Sequence, residues 1–431
     1  MKTASSKGLL ALSPLLVFLL VFVFSSLLAG DFYKVPVSSV FLVACIYAVA
    51  VSPSGSLKER IAVFSSGAGN HNVLLMIWIF ILAGAFAGTA RDIGAIDAAV
   101  NVTMRLLPGN LLFAGLFFTA CFISMSIGTS TGTIVALVPI ASGIADQCGV
   151  ELPFMAALVV GGALFGDNLS FISDTTIAAT RALGCEMRDK FRTNIFIVAP
   201  AVLVVFIIYL VKGSGMEAAP SGEFAQWYKL FPYLLVIALS LMGRNVTLIL
   251  FSGIVANAVI GFASGSLDWV SWLSSVGRGI SGMNDLIIVT LLAGGLLEMI
   301  RSNGGLDFLV EKLTERIGGK RGAQFSIAAL VSAANLCTAN NTIAIITTGG
   351  IARRICERYG LDARKAASIL DTFSCMVQGL IPYGAQLLMA AGLAGCNPVS
   401  IIPFLYYPLI LGFFSVLSII FLYPEGKLLK K

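Results

Sequence analysis

The sequence predicts an all-α polytopic membrane protein. It is read as two inverted-topology repeats of about seven helical segments each, with broken helices or re-entrant segments at the midplane. Three observations lead there. The residues are 58% hydrophobic and 12% charged, where a soluble domain is nearer ~25% charged, and the mean hydropathy is +0.94. Apolar runs long enough to cross a bilayer, which takes about 20 residues, recur along all 431 positions. The two halves also match at an offset of about 210 residues while the charges of matching loops flip.

The first run, LLALSPLLVFLLVFVFSSLLA (9–29), follows Lys2 and Lys7 as the core of a signal peptide would. It is longer than the usual ~7–15-residue core and a second apolar run (36–52) follows at once, so it reads as a retained helix. Further spans are expected at 72–90, 109–127, 129–145, 152–180, 193–212, 229–242, 246–263, 285–300, 322–337, 341–352, 366–391 and 401–423. Residues 1–212 form the first repeat, 213–228 a polar linker and 229–431 the second repeat.

The repeat rests on paired stretches. LAGAFAGTARDIGAIDAAV (82–100) aligns with LAGGLLEMIRSNGGLDFLV (292–310), so that Leu82, Ala83, Gly84, Arg91, Gly94, Asp97 and Val100 meet identical residues. Loop 143–153 has no Lys or Arg while its counterpart 351–365 has five, and loop 181–192 has four while 392–402 has none. By the positive-inside rule, matching loops then lie on opposite sides of the membrane. An odd number of segments per half fits inversion and puts both termini, including the terminal KLLKK, in the cytoplasm. A bacterial inner membrane is the expected location. The charge of +6 sits in short loops and calls for no nucleic acid. Loop 91–108, with Arg91 and Arg105, runs against the charge pattern; Arg91 and Arg301 are explained by snorkelling.

Composition excludes several functions. His71 is the only histidine, so an ordinary zinc site cannot be built. The eight cysteines stand singly, without CxxC spacing, and read as small buried hydrophobes. A GxxxxGK[ST] loop is missing, which removes ATP-driven transport by this chain alone. No cofactor is expected. The lipid bilayer and monovalent cations are the expected partners, with a homodimer left open.

Four polar interruptions break the apolar pattern, in two equivalent pairs: GTSTGT (128–133) with CTANNT (337–342), and GDNLSFISDTT (166–176) with DTFSCMVQGLIPYGAQ (371–386). Broken helices from repeated halves are the architecture of secondary transporters, with substrate and coupling ions bound where the helices break. Unwound backbone at that depth is tolerated only where it lines a cavity or is buried in protein. An aspartate at the bilayer centre costs at least ~2.5 kcal/mol, so Asp167, Asp174 and Asp371 are the leading candidates. Each has an alternative: Asp167 and Asp174 as caps of half-helices, and Asp371 in a cytoplasmic vestibule. Asn168, Ser170, Ser173, Thr175 and Thr176 add oxygen to the first broken segment, and Thr129, Ser130 and Thr131 to its partner. The hydroxyls, with Thr133, have the alternative of bonding a carbonyl one turn earlier. Asn340 and Asn341 need partners inside an apolar segment. Gln378, Tyr383 and Gln386 share a break with Pro382, either lining the site or joining helices.

Hard oxygen ligands without sulfur or imidazole suit Na⁺, Li⁺ or H⁺. Asp167 and Asp174 are the expected Na⁺ ligands. Burial disfavours a charged carboxylate and a bound cation favours it, so cation and proton compete for the same oxygens. Competition plus alternating access suffices for Na⁺/H⁺ exchange, with Na⁺ and H⁺ as the transported ions.

These stretches resemble the NhaC-type Na⁺/H⁺ antiporters of the ion-transporter superfamily, over roughly residues 70 to 400. The family shows a GTSxGT break, a GDxxSPxSDTT segment and a late segment near LIPWN. The resemblance points at Asp167, Ser170, Ser173, Asp174, Thr175 and Thr176, and at Asp371, Pro382 and Tyr383. It implies exchange of external H⁺ for internal Na⁺. Phe171 stands where the family usually has Pro, Tyr383-Gly384 where it has Trp-Asn, and Asn340-Asn341 where a pair commonly includes an acid. Relatives of this type also exchange organic acids or amino acids, so a coupled carrier of such a solute is the alternative. That carrier would want a cation in the site, and the breaks themselves hold none. An intramembrane enzyme would need Ser/His, paired aspartates on a helix or HExxH, which the sequence does not offer. A channel shares the cation chemistry and differs only in lacking alternating access.

Overall fold

The computed structural model describes residues 2–29, 35–53, 55–170, 173–216, 226–242, 244–314 and 317–424. Its described residues form helices and no strand. The first half runs α1 (Lys2–Ala29), α2 (Val37–Val51), α3 (Leu57–Ala68), α4 (His71–Asp92), α5 (Ala95–Leu106), α6 (Leu112–Ile127), α7 (Ser130–Cys148), α8 (Leu152–Leu169), α9 (Asp174–Leu183) and α10 (Met187–Gly213). The second half runs α11 (Phe231–Leu241), α12 (Val246–Ser264), α13 (Trp269–Ser281), α14 (Asn284–Ser302), α15 (Gly305–Thr314), α16 (Gly319–Thr338), α17 (Asn341–Tyr359), α18 (Ala363–Leu380), α19 (Ala385–Ala394), α20 (Pro398–Ile401) and α21 (Tyr406–Ile420).

The helix order repeats. Adding 210 to the bounds of α4 through α9 lands on α14 through α19 to within a few residues, and the same shift carries α2 and α3 onto α12 and α13. The two series interlock: α3 packs on α14 while α13 packs on α4, and α9 packs on α17 while α19 packs on α7. Glycine makes the first pair of crossings close. Gly84 of α4 faces the Gly279 carbonyl of α13, and Gly67 of α3 faces the Gly294 carbonyl of α14, leaving no room for a Cβ. Small residues at such crossings let backbones approach, which is how helices associate without a hydrophobic drive between them.

Eight spans are long and apolar enough to cross a membrane, or up to ten if two bent helix pairs each count as one. That is fewer than the fourteen segments expected. Several expected spans are shorter: α2 is 15 and α11 11 residues long. Helices α14 and α21 count as spans only together with a bent neighbouring helix, while α8 with α9 and α18 with α19 each make one interrupted span as expected. Helices α3, α5, α13 and α15 were not expected. Their charged and small residues dilute the apolar signal; α3, for example, begins LKER behind a Ser56/Glu59 capping box. Of the expected linker, 217–225 lies outside the described residues, as do Phe171 and Ile172 of the first broken segment and the terminal KLLKK.

Candidate functional site

Each half supplies a helix–turn–helix tip and a broken span. In the first half α6 ends at Gly128, whose φ of +76° closes the helix, and Thr129 turns extended before α7 begins. In the second half Ala339 holds the same left-handed place at φ 49°, followed by extended Asn340. The broken spans are α8–α9, interrupted between Leu169 and Asp174, and α18–α19, interrupted between Leu380 and Ala385. Helix α8 reaches the centre on small residues: Gly162 lies on Ala120, Gly166 on Ser124, and the Ser124 hydroxyl donates to the Ala163 carbonyl.

Hydrogen bonds join the four interruptions into one chain. The Ser130 N–H at the start of α7 donates to Asp167 Oδ1 at 3.2 Å. Gln386 Nε2 donates to Ser130 Oγ at 3.0 Å, and Gln378 Nε2 donates to Gln386 Oε1 at 2.8 Å and to the Ala339 carbonyl at 3.0 Å. Asp167 therefore sits at the positive end of helix α7, a favourable place for an anion. It caps another helix of its own half, and that contact leaves its second oxygen to other partners. At the shift of 211, position 378 matches Asp167 and carries an uncharged amide.

A second cluster lies beside this chain. Lys190, on the first turn of α10, places its ammonium 2.8 Å from Asp371 Oδ2, 2.8 Å from the Asn168 carbonyl and 2.7 Å from Thr176 Oγ1. Asn194, one turn along α10, donates to Asp371 Oδ2 and to the Asn168 carbonyl, both at 2.8 Å. Lys190 is 1% and Asp371 0% exposed. The sequence reading counted Lys190 among the loop cations of 181–192 and found no cation in the breaks. It lies outside the breaks in sequence and against one in space. The spacing of Lys190 and Asn194, four residues apart at the head of an apolar helix, is the signal that could have marked them.

The hydroxyls of the first broken segment have a definite task. Ser173 Oγ and Thr175 Oγ1, 2.7 Å apart and hydrogen-bonded to each other, lie 3.1 and 3.0 Å from the Asp167 carbonyl, and Thr176 Oγ1 donates to the Ser170 carbonyl at 2.9 Å. They satisfy carbonyls that the end of α8 leaves without helical partners. Ser170 is buried. Asn168 Nδ2 donates to the Leu164 carbonyl and to Tyr407 Oη, which orients its Oδ1 as an acceptor. Asn168 Oδ1, Asn194 Oδ1, Asp371 Oδ1, Gln378 Oε1 and Thr129 Oγ1 are buried oxygens without a hydrogen-bond partner. Buried polar atoms are ordinarily satisfied, so this concentration suits a ligand that accepts electron density from oxygen, as a cation does.

Other expected residues fall outside this centre. Asp174, the first residue of α9, is exposed, so the Na⁺ ligand pair Asp167 and Asp174 is not brought together in one buried place. Thr131 is half-buried and Thr133 bonds back to the Thr129 carbonyl. Asn340 caps α17 by accepting the Ile343 N–H at 3.0 Å, and Asn341 contacts Cys375 Sγ at 3.8 Å. Tyr383 donates to the Leu336 carbonyl and packs edge-on against Phe18 and Phe41, which joins helices.

A cavity of about 370 Å³ leads to the second-half tip, lined among others by Asn70, Glu298, Arg301, Thr338, Asn340 and Ile343. The repeat carries Gly294 and Arg301 onto Gly84 and Arg91, which line a smaller cavity of about 190 Å³. Gly392 and Leu393 of α19 line that one, and Arg278 bonds Asp92 across it at 2.7 Å. The positions matching Asp92 and Arg278 are Ser302 and Ala68, so the larger cavity has no such clasp.

A profile of the Na⁺/H⁺ antiporter family matches residues 3–214 and 227–424. The chain belongs to this family. It is 23% identical over 378 residues to the malate-2H⁺/Na⁺-lactate antiporter of Bacillus subtilis, covering 78% of this chain and 79% of that one. It is also 23% identical over 430 residues to the Na⁺/H⁺ antiporter NhaC of the same organism, covering 87% and 94%. The arginine/ornithine antiporter ArcD of Halobacterium salinarum is 24% identical over 378 residues, covering 79% of this chain and 76% of that one. The protein is thus a multi-pass membrane transporter of the secondary class, with its solute left open by this spread of relatives.

Proposed function

We propose that the protein exchanges Na⁺ or Li⁺ for protons, with Asp167 as the exchanging carboxylate. The observation that carries this is a charge count. Among the described residues, the buried Asp, Glu, Lys and Arg side chains of the centre are Asp167, Asp371 and Lys190. Fully ionised they sum to −1, which one monovalent cation or one proton neutralises. A buried charge is costly until it is neutralised, so the site is expected to cross the membrane loaded with one or the other. Exchange follows, because the empty charged site is the expensive one to move. The matching helix series are read as inverted repeats, with the larger cavity facing the cytoplasm of a bacterial inner membrane and the Asp92–Arg278 clasp outside.

The test is dequenching of a pH dye in everted vesicles on a sodium jump. Wild type is expected to release the gradient and Asp167→Asn to lose that release at equal expression. Failure of Na⁺, Li⁺ and K⁺ alike to move protons in wild type overturns the reading. A second reading, exchange of a small organic acid or amino acid, gains support from one observation, the buried Lys190 ammonium beside the broken span. Uptake of labelled malate, lactate and arginine into the same vesicles separates the two.

A further inference from the structure

We propose that the Lys190 ammonium is a tethered resident cation, filling the cation position at the first broken span and thereby limiting the exchange site to one transported charge. The proposal rests on the exchange reading for what Asp167 binds, and on geometry alone for what Lys190 does.

The end of α8 is where an ion would be expected. Carbonyls there lack helical partners, the helix dipole is negative, and two neighbouring hydroxyl-rich segments converge on it. The Asp167 carbonyl is taken by the hydrogen-bonded Ser173 and Thr175 hydroxyls. The next carbonyl, of Asn168, is taken by Lys190 and Asn194. An ammonium has three donors and no acceptor. Those of Lys190 meet a carbonyl, a hydroxyl and a carboxylate oxygen, all within 2.7 to 2.8 Å, the ligand types a hard monovalent cation would take. The ammonium is therefore fully coordinated by oxygen in a place shielded from solvent.

The repeat supports this as an added device. Asp167 has a polar counterpart at Gln378, and Ser130 has one at Asn341. Positions matching Asp371 at offsets of 210 to 211 are Val160 and Gly161, and those matching Lys190 are Ser400 and Ile401. Neither member of the pair has an ionisable counterpart, and the two neutralise each other. Removing the ammonium alone would leave the Asp371 carboxylate, the Asn168 carbonyl, Thr176 Oγ1 and the unpartnered Asn194 Oδ1 facing one vacated position. A free Na⁺ would fit that donor set.

The experiment is equilibrium binding of ²²Na⁺ to purified full-length protein in detergent at alkaline pH. Wild type should bind one Na⁺ per chain, Lys190→Gln two, and Lys190→Gln/Asp371→Asn one again. Lys190→Arg keeps the charge and should keep one. No gain in Lys190→Gln over wild type overturns the proposal. So does loss of all binding in the double variant, which would make Asp371 a ligand of the transported ion. Should Lys190→Gln be too unstable for the binding assay, Na⁺ should rescue it, raising its yield and unfolding temperature in detergent where equal choline chloride does not, and no rescue overturns the proposal. Absence of Na⁺ binding in wild type, or unchanged binding in Asp167→Asn, would instead defeat the exchange reading, while a gain in Lys190→Gln over its parent would still support the tethered cation.

Discussion

Lys190 Nζ lies 2.8 Å from Asp371 Oδ2, a pair contributed by different halves of the chain and sealed from solvent. Either charge alone would be stranded in a low-dielectric interior. Breaking a buried pair by removing one partner costs about 3–5 kcal/mol, whereas replacing both is far milder. Lys190→Gln and Asp371→Asn should each lower thermal stability in detergent strongly, and the double variant should be more stable than either. Additive losses would show that the two side chains act independently.

The carboxylate of Asp167 is held from one side by the Ser130 N–H. A cation and a proton bound at one oxygen set exclude each other, so the apparent Km for Na⁺ should rise as pH falls while the maximal rate at saturating Na⁺ changes little. Steady-state exchange at several pH values measures this. A Km that is flat with pH would separate the proton site from the cation site.

Gln386 links Ser130 to Gln378 through two hydrogen bonds, at 3.0 and 2.8 Å. Gln386→Leu removes both and leaves buried polar atoms unsatisfied, at about 1–3 kcal/mol. Exchange should fall by about tenfold or more at equal expression, with Gln386→Glu affecting Na⁺ affinity rather than folding. An unchanged rate in Gln386→Leu would detach this chain from the site.

The cavities differ in access. Ile343, near the start of α17, lines the larger one, while Thr133, near the start of the matching α7, is fully buried. In a cysteine-free background, Ile343→Cys should react with a membrane-impermeant thiol reagent from one face and Thr133→Cys should not. Equal labelling of both would mean that neither side is closed.

Ala339 takes a left-handed conformation that costs an L-residue roughly 1–2 kcal/mol. Glycine pays less there, so Ala339→Gly should raise the unfolding temperature, by a net of about 0.5–1 kcal/mol. A drop would mean that packing of the methyl group outweighs the backbone.

Much of the fold was legible because bilayers impose long apolar runs and because the repeat leaves a constant offset. Helices α3, α5, α13 and α15 were not, since short amphipathic helices between spans resemble polar loops. The four interruptions were found from glycine, proline, amide and hydroxyl clustering, and hydrogen bonds join them. The hydroxyls of Ser173, Thr175 and Thr176, expected at an ion, lie against the backbone carbonyls of Asp167 and Ser170. Lys190 escaped because loop charges and buried charges look alike in sequence; beyond its spacing to Asn194, the path of α10 across the end of α8 is what distinguishes them.

The central claim is that cation and proton share Asp167. The most direct measurement is the proton released when NaCl is added to purified protein in weakly buffered detergent solution, at a pH where the site is protonated. The account predicts one proton released per Na⁺ bound in wild type and none from Asp167→Asn. Sodium binding without proton release, or equal release from the Asp167→Asn protein, would contradict it.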